Sequence, residues 1–156
     1  MYYARFNLWF GFILALILSI LPLPELISAF RPPWVLLLVL YIEYFLPNKF
    51  KIITLLLLGL TLDVLLATVI GVHSFALLLV TWIASSKSRR FQFFSMMQQI
   101  FLVGFFCLLY QAVITFIDAL FGFHINAYVP FVSAVVGMFF WPWIRLLGDD
   151  MLRFRS

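Results

Sequence analysis

Long apolar stretches separated by short charged clusters dominate the sequence. Residues 6–24 carry no charged side chain, and the stretches 32–48, 52–86 and 91–144 each carry a single acidic residue. Apolar and polar positions do not alternate within these stretches, which excludes the strands of a membrane barrel. Because hydrocarbon cannot hydrogen-bond a free backbone, such stretches are predicted to be helices. The predicted helices are 7–22, 33–47, 52–70, 72–86, 97–119 and 127–146.

The stretch 52–86 could form one helix or two. A single helix would be about 52 Å long at 1.5 Å per residue, against a hydrocarbon core of about 30 Å. Two short helices that turn at residues 70–73 fit better. The sequence therefore predicts an all-α fold: a polytopic integral membrane protein whose six transmembrane helices form one bundle, a single domain over residues 1–156.

The basic residues give this bundle an orientation. If the chain has six spans and a cytoplasmic N-terminus, then of its ten basic residues Arg31 alone lies outside. The positive-inside rule expects the others on the cytoplasmic side. These are Arg5, Lys49, Lys51, Lys87, Arg89, Arg90, Arg145, Arg153 and Arg155. Five spans would put the cluster at 87–90 on the wrong face, so both termini are predicted to be cytoplasmic.

Composition excludes an ordinary soluble domain. Hydrophobic residues make up 66% of the chain, charged residues make up 10%, and the mean hydropathy is +1.16. A typical globular chain is about 25% charged. Six spans of about 20 residues leave about 36 residues outside the membrane, too few for a catalytic domain there. The net charge of +4 follows from topology, so no nucleic-acid partner is predicted.

The sequence offers little catalytic or metal-binding chemistry. It has no GxSxG elbow, no HExxH helix and no Ser/His/Asp grouping, and its single cysteine excludes a disulfide or a CxxC metal site. His73, Asp118 and His124 lack the spacing of a metal site on one helix. We therefore predict that the protein is not an enzyme and uses no metal or cofactor.

Asp63 is the charged residue placed deepest in a predicted span. A carboxylate at that depth must be protonated, paired or hydrated. Gly59, Asp63, Ala67 and Gly71 recur every four residues, which predicts one helix stripe whose small residues let another backbone approach. Two interpretations stay open. Asp63 is either an anchor, ligand or proton site for a partner, or an internal hydrogen-bonded residue of this bundle.

A second small-residue stripe lies on the first helix. Gly11, Ala15 and Ser19 repeat at the same four-residue spacing. Such patterns indicate helix contacts. The contact is either packing within the bundle or the binding of another protein.

A basic cluster precedes a run of aromatic residues at the predicted inner face. Lys87, Arg89 and Arg90 suit attraction to anionic lipid, which contributes about 1 kcal/mol per basic residue near the surface. A docking site for a cytoplasmic partner is the alternative.

Several short motifs, in their order and spacing, resemble the bacterial rod shape-determining protein MreD family. They are Arg31-Pro32-Pro33-Trp34, an apolar span that ends at Pro47, the segment Gly59–Leu65, and Gly71-Val72-His73. The length and the six-span layout match as well. One departure is Ala67-Thr68-Val69, where the family pattern leads us to expect a glycine-bearing segment ahead of Gly71.

The resemblance implies a non-enzymatic, multi-pass subunit of the bacterial inner membrane that takes part in cell shape and lateral peptidoglycan synthesis. Such proteins act with the single-span protein MreC, the actin-like MreB filament, the polymerase RodA and a class B penicillin-binding transpeptidase. The family's fold is also similar to the substrate-binding subunits, or S components, of energy-coupling-factor transporters. A subunit of such a small-molecule transporter is therefore the alternative function.

The leading hypothesis is a membrane scaffold in which the small-residue stripes and Asp63 hold the helix of an MreC-like bitopic partner. A transporter subunit would instead bind a small ligand in an aromatic-lined cavity open to the outside. A third possibility is a structural assembly helper that makes no direct contact with the wall synthases.

Overall fold

The described part of the chain is helical throughout. A computed structural model describes residues 2–22, 24, 30–45, 52–86 and 88–153. Within these ranges the chain forms seven helices and no strand. They are α1 (Tyr2–Ile20), α2 (Trp34–Phe45), α3 (Ile52–Leu65), α4 (Val72–Ser85), α5 (Ser88–Phe91), α6 (Met96–Leu120) and α7 (Val129–Arg153). The predicted all-α class is confirmed for these residues.

The helices differ widely in length. By length and composition, α6 and the portion Val129–Asp150 of α7 are each able to cross a membrane. Helices α2, α3 and α4 have 12, 14 and 14 residues. At 1.5 Å per residue they are about 18–21 Å long, which is shorter than a hydrocarbon core of about 30 Å. The sequence predicts this difference in part, since 33–47 and 72–86 are also the shortest of the predicted helices.

The observed helices differ from the predicted ones in several places, among them the start of α1, which is Tyr2 and not residue 7. Helix α3 ends at Leu65 instead of residue 70, because the chain turns at Ala67, where φ is 52°. Helix α7 passes through Pro142 and continues to Arg153, beyond the predicted end at 146. A proline removes one backbone hydrogen bond from a helix but does not end this one. The four-residue helix α5 occupies a segment for which the sequence predicts no helix.

Helix α2 is the centre of the bundle. It packs against α1, α4, α5, α6 and α7, and Leu36, Leu37 and Leu40 have no exposed surface. At its C-terminal end the ring of Tyr44 stacks on Phe91 of α5, with 3.6 Å between centroids. A helix that is buried on every side is apolar on every side, which explains why α2 shows no polar stripe.

The bundle has two chemically distinct ends. At one end, which we call the basic end, Arg145 Nη1 donates to Gln99 Oε1 at 2.7 Å. The amide of Gln99 in turn donates to the carbonyls of Phe91 and Phe94, at 3.2 Å each. The opposite end, which we call the loop end, holds the α3–α4 loop (66–71) and the α6–α7 loop (121–128). The basic end is tied together by a cation, and Asp63 lies near the loop end.

Candidate functional site

Asp63 is fully buried, and its hydrogen bonds stay within the chain. Its side chain has 0% exposed surface. Oδ2 accepts the N–H of Gly71 at 2.7 Å, and Oδ1 accepts the N–H of His73 at 3.0 Å. Oδ1 also lies 2.8 Å from His73 Nδ1 and accepts the Thr68 hydroxyl at 3.2 Å. With the ring proton on Nδ1, four donors converge on an acceptor-only carboxylate, which satisfies it inside the bundle.

The carboxylate of Asp63 caps helix α4. Gly71 is the N-cap residue, with φ of 99°, and makes no side-chain cap bond. The first N–H groups of a helix have no intrahelical acceptor, and a short polar side chain usually supplies one. Here Asp63 supplies it from the preceding helix. Its negative charge also lies at the N-terminus of α4, where the helix dipole favours an anion.

Helix α3 ends in a sharp turn, which places the α3–α4 loop next to Asp63. The N–H of Ala67 donates to the carbonyl of Val64 at 3.3 Å, and the N–H of Thr68 donates to the carbonyl of Asp63 at 3.0 Å. This pair of bonds is a Schellman motif, whose left-handed position is usually glycine. The departure from the family pattern at Ala67-Thr68-Val69 therefore begins at the turn itself.

The predicted stripe of Gly59, Asp63, Ala67 and Gly71 is wrong in its second half. Because α3 ends at Leu65, Ala67 and Gly71 lie in the α3–α4 loop and not on a helix face. Both contribute a left-handed backbone conformation in place of a small surface. Of the four, Gly59 is the one at a close helix contact. A β-carbon there would collide with the backbone of Ser74 on α4, so α3 and α4 cross closely inside this chain.

Asp63, His73 and Thr68 have the residue types of a catalytic triad but not its geometry. A triad needs the carboxylate on one ring nitrogen of histidine and the hydroxyl on the other. Thr68 Oγ1 lies 3.4 Å from Nδ1, the nitrogen that also faces Asp63. The cluster is thus arranged to cap a helix. Among the described residues, no group of three or more His, Cys, Asp and Glu side chains could hold a metal ion.

A cavity of about 180 Å³ lies beside this cluster at the loop end. The cavity is open on one side, and it is lined by residues of the segment before α2 and of α1, α2, α3, α4, α6 and α7. Its polar lining residues are Ser19, Arg31, His73, Tyr110, Gln111 and Ser133. Its apolar lining residues are Pro32, Pro33, Trp34, Val35, Leu36, Leu62, Leu66 and Val129. His73 joins the two features, since it both contacts Asp63 and lines the cavity.

Of the family-motif residues Arg31, Pro32 and Pro47, the first two line this cavity. Arg31 Nη2 donates to the carbonyl of Leu21 at 2.5 Å, which ties the segment before α2 to the end of α1. The carbonyl of Pro32 accepts the N–H of Trp34 at 2.9 Å, next to the first turn of α2. Pro47, the third position, lies outside the described residues. The Arg-Pro motif is therefore placed at the loop end, against the candidate site.

The stripe of Gly11, Ala15 and Ser19 faces the chain's own core. Ala15 and Ser19 are buried, and Ser19 Oγ donates to the carbonyl of Ala15 at 2.8 Å. A β-carbon at Gly11 would lie 3.6 Å from Leu38 of α2, which is an ordinary contact. Of the two interpretations, packing within the bundle is the one that this geometry matches.

The described residues of the basic cluster that the sequence predicts at the inner face lie away from the Asp63 site. Arg89 and Arg90 belong to α5 at the basic end, and both are exposed. Lys87 lies outside the described residues. The structure therefore does not bring Arg89 or Arg90 together with Asp63, the cavity or the Gly11 stripe.

Gln99 and Ser133 are among the buried polar residues that the sequence did not point to. Gln99 has 0% exposed surface and holds Arg145 and the α5 backbone at the basic end. A glutamine inside an apolar helix, one residue after the capping box of Ser95 and Gln98, was an available signal. Ser133, which is 2% exposed and lines the cavity, had no such signal, because a small polar residue is common in membrane helices.

Comparison with known proteins identifies related sequences. The family model described as rod shape-determining protein MreD matches residues 2–150. The chain is 30% identical over 146 residues to the rod shape-determining protein MreD of Haemophilus influenzae, which covers 91% of this chain and 88% of that protein. No solved structure matches the chain. Neither match is to a transporter subunit, so the transporter alternative has no support from them.

Proposed function

Because the chain belongs to the MreD family of rod shape-determining proteins, we propose that it is a non-enzymatic scaffold subunit of the cell-elongation machinery in the inner membrane. The family match over residues 2–150 carries this proposal, since it covers both ends of the bundle. In this role the helix faces bind other membrane proteins. The chain thereby supports lateral peptidoglycan synthesis without reacting with its substrates.

The proposed topology has six membrane crossings and cytoplasmic termini, with the basic end of the bundle inside. Arg89, Arg90 and Arg145 all lie at that end, as the positive-inside rule favours. The loop end, with Arg31 and the cavity, then faces outward. The shortness of α3 and α4 favours a locally thinned bilayer or protein neighbours around them.

The side of α1 that is turned away from the rest of the bundle is the proposed contact with an MreC-like bitopic helix. Helix α1 packs mainly against α2, so it lies at the edge of the bundle. Its exposed apolar residues are Trp9, Phe10, Ile13, Leu14 and Ile17. The small residues face inward, so the partner helix contacts these large side chains and not the Gly11 stripe. This replaces the stripe-and-Asp63 contact that the sequence suggested.

The remaining partners are assigned by side of the membrane. RodA and a class B penicillin-binding transpeptidase are the proposed membrane neighbours within the same complex, and the MreB filament lies on the cytoplasmic side. The exposed Arg89 and Arg90, together with Lys87, attract anionic lipid at that side.

Depletion and co-purification test the scaffold. We expect rod cells to become round when the protein is depleted, and an MreC-like protein to remain bound after gentle detergent extraction. Rod-shaped growth that continues normally after a clean deletion would contradict the proposal.

A photo-crosslinking residue tests the α1 contact. We place it at Ile13, which is exposed on α1, and as the matched control at Phe139, which is exposed on α7. The expected result is a crosslink to the MreC-like partner from residue 13 and none from residue 139. Equal crosslinking from both positions, or crosslinking from residue 139 alone, would move the contact away from α1.

A further inference from the structure

The cavity at the loop end has two chemically different walls. The polar wall includes Arg31, Gln111 and Ser133, and the apolar wall includes Trp34 and Leu62. A site of this kind suits an amphiphile, because one part of the ligand is hydrogen-bonded while the rest lies on hydrocarbon. A volume of about 180 Å³ exceeds the space of a single small ion, since one water occupies about 30 Å³ in the liquid.

Two polar groups in the cavity wall have no protein partner. Ser133 is 2% exposed, and its Oγ makes no hydrogen bond to any described residue. The same holds for Arg31 Nε, although Nη2 of that guanidinium is held by the Leu21 carbonyl. Buried polar groups usually find partners, and an unmade hydrogen bond is costly. Arg31 Nε can only donate and the Ser133 hydroxyl can also donate, so an acceptor in the cavity would satisfy both groups.

The charge of the wall favours an anion. Arg31 is a cation, and none of the described residues that line the cavity is acidic. Asp63 does not line the cavity: His73 lies between them, and the carboxylate of Asp63 already accepts four donors. The hydroxyl of Ser19 is committed to the carbonyl of Ala15. Arginine and hydroxyl donors around one space are the usual surroundings of phosphate oxygens.

We propose that this cavity binds the phosphate-bearing headgroup of a membrane lipid, with Arg31 and Ser133 donating to phosphate oxygens. The apolar wall favours a lipid over a free phosphate, because Leu62 and Val129 offer nothing to a hydrated ion and, with the ring of Trp34, can cover the glycerol and the first carbons of the chains. Basic pockets between membrane helices on the cytoplasmic side bind lipid headgroups, and Arg31 offers the same cationic donor at the loop end. The site is independent of which proteins the scaffold binds.

The test titrates three soluble probes into the full-length protein, delipidated in a neutral detergent. The probes are dihexanoyl phosphatidylglycerol, dihexanoylglycerol without the phosphate, and inorganic phosphate. Thermal shift and native mass spectrometry report binding. We expect saturable binding of phosphatidylglycerol alone. Equal binding of dihexanoylglycerol would show that the phosphate plays no role. Binding of inorganic phosphate as tight as that of the lipid would show that the ligand is a free anion. No saturable binding of any probe would mean that the cavity holds only water.

Variants assign the binding to the named residues. Arg31→Gln should weaken phosphatidylglycerol binding by roughly tenfold or more, since a hydrogen bond to a charged group is lost. Ser133→Ala removes a single oxygen from a small side chain, so the fold should survive, and a loss of a few-fold is expected. Ser85→Ala, at an exposed serine at the C-terminal end of α4 away from the cavity, is the matched control for Ser133→Ala and should bind like the parent. Parent-like binding by both Arg31→Gln and Ser133→Ala would overturn the proposal.

Discussion

Two helix ends at the loop end share one backbone motif and differ in what surrounds it. At the end of α3, Ala67 and Thr68 donate to the carbonyls of Val64 and Asp63. At the end of α6, Gly122 and Phe123 donate to the carbonyls of Ala119 and Asp118, both at 3.0 Å. Both are Schellman motifs with an aspartate at the same position, three residues before the helix cap.

The two aspartates nevertheless have different surroundings. After α3 the chain reverses direction within the short loop 66–71. This turn places the start of α4 against Asp63, which is fully buried. After α6 the loop 121–128 is exposed throughout, and Asp118 is half-buried. The backbone motif ends the helix in both cases. The return of the next helix is what turns one of the two carboxylates into a buried cap.

Replacing Asp63 with leucine should show the largest difference between the two ends. Asp63→Leu leaves the N–H groups of Gly71 and His73 without their acceptor inside the bundle, and we expect it to lower the free energy of unfolding by about 3–5 kcal/mol. Asp118→Leu is the matched control and should cost less than about 1 kcal/mol. Denaturant unfolding in detergent micelles measures both. Equal losses would mean that the cap is not what distinguishes Asp63.

Replacing Asp63 with asparagine separates hydrogen bonding from charge. An asparagine can keep its carbonyl oxygen at the Oδ1 position, where three donors meet, but its amide then faces the N–H of Gly71. We expect a loss of about 1–3 kcal/mol in the same unfolding measurement, with rod shape retained in complemented cells. If asparagine is as damaging as leucine, the negative charge at the start of α4 matters more than the hydrogen bonds.

The comparison also shows what the sequence could and could not predict. A lone carboxylate in a long apolar stretch predicts burial against protein, and Asp63 is buried. Periodicity could not find the end of α3, because Ala67 occupies the left-handed position without a glycine to mark it, whereas Gly122 marks the end of α6. The residues that line the cavity could not be predicted, since elements distant in sequence meet there only after folding.

Replacing Gly122 with alanine tests the strain at the end of α6. Gly122 has φ of 78° and nothing within 4 Å of an added β-carbon, so the backbone conformation alone resists the substitution. We expect a loss of about 1–2 kcal/mol, measured as a lower melting temperature in detergent. Gly11→Ala is the control, because that position is helical and its β-carbon would make an ordinary contact at 3.6 Å. A loss at Gly11 of the same size would point to glycine replacement in general.

Replacing Ala67 with glycine is the smallest change and the closest test of the shared motif. Ala67 holds φ of 52° with a β-carbon, so glycine should relieve about 1–2 kcal/mol of left-handed strain. Glycine also gives the unfolded chain more freedom, which offsets about 0.4–1 kcal/mol of that gain. The net result should be a stabilisation of roughly 0.5 kcal/mol, seen as a small rise in melting temperature. A double variant that also carries Gly122→Ala should show the two effects adding, because the loops share no described hydrogen bond. Destabilisation by glycine at residue 67 would mean that the alanine side chain stabilises the loop by more than its backbone conformation costs.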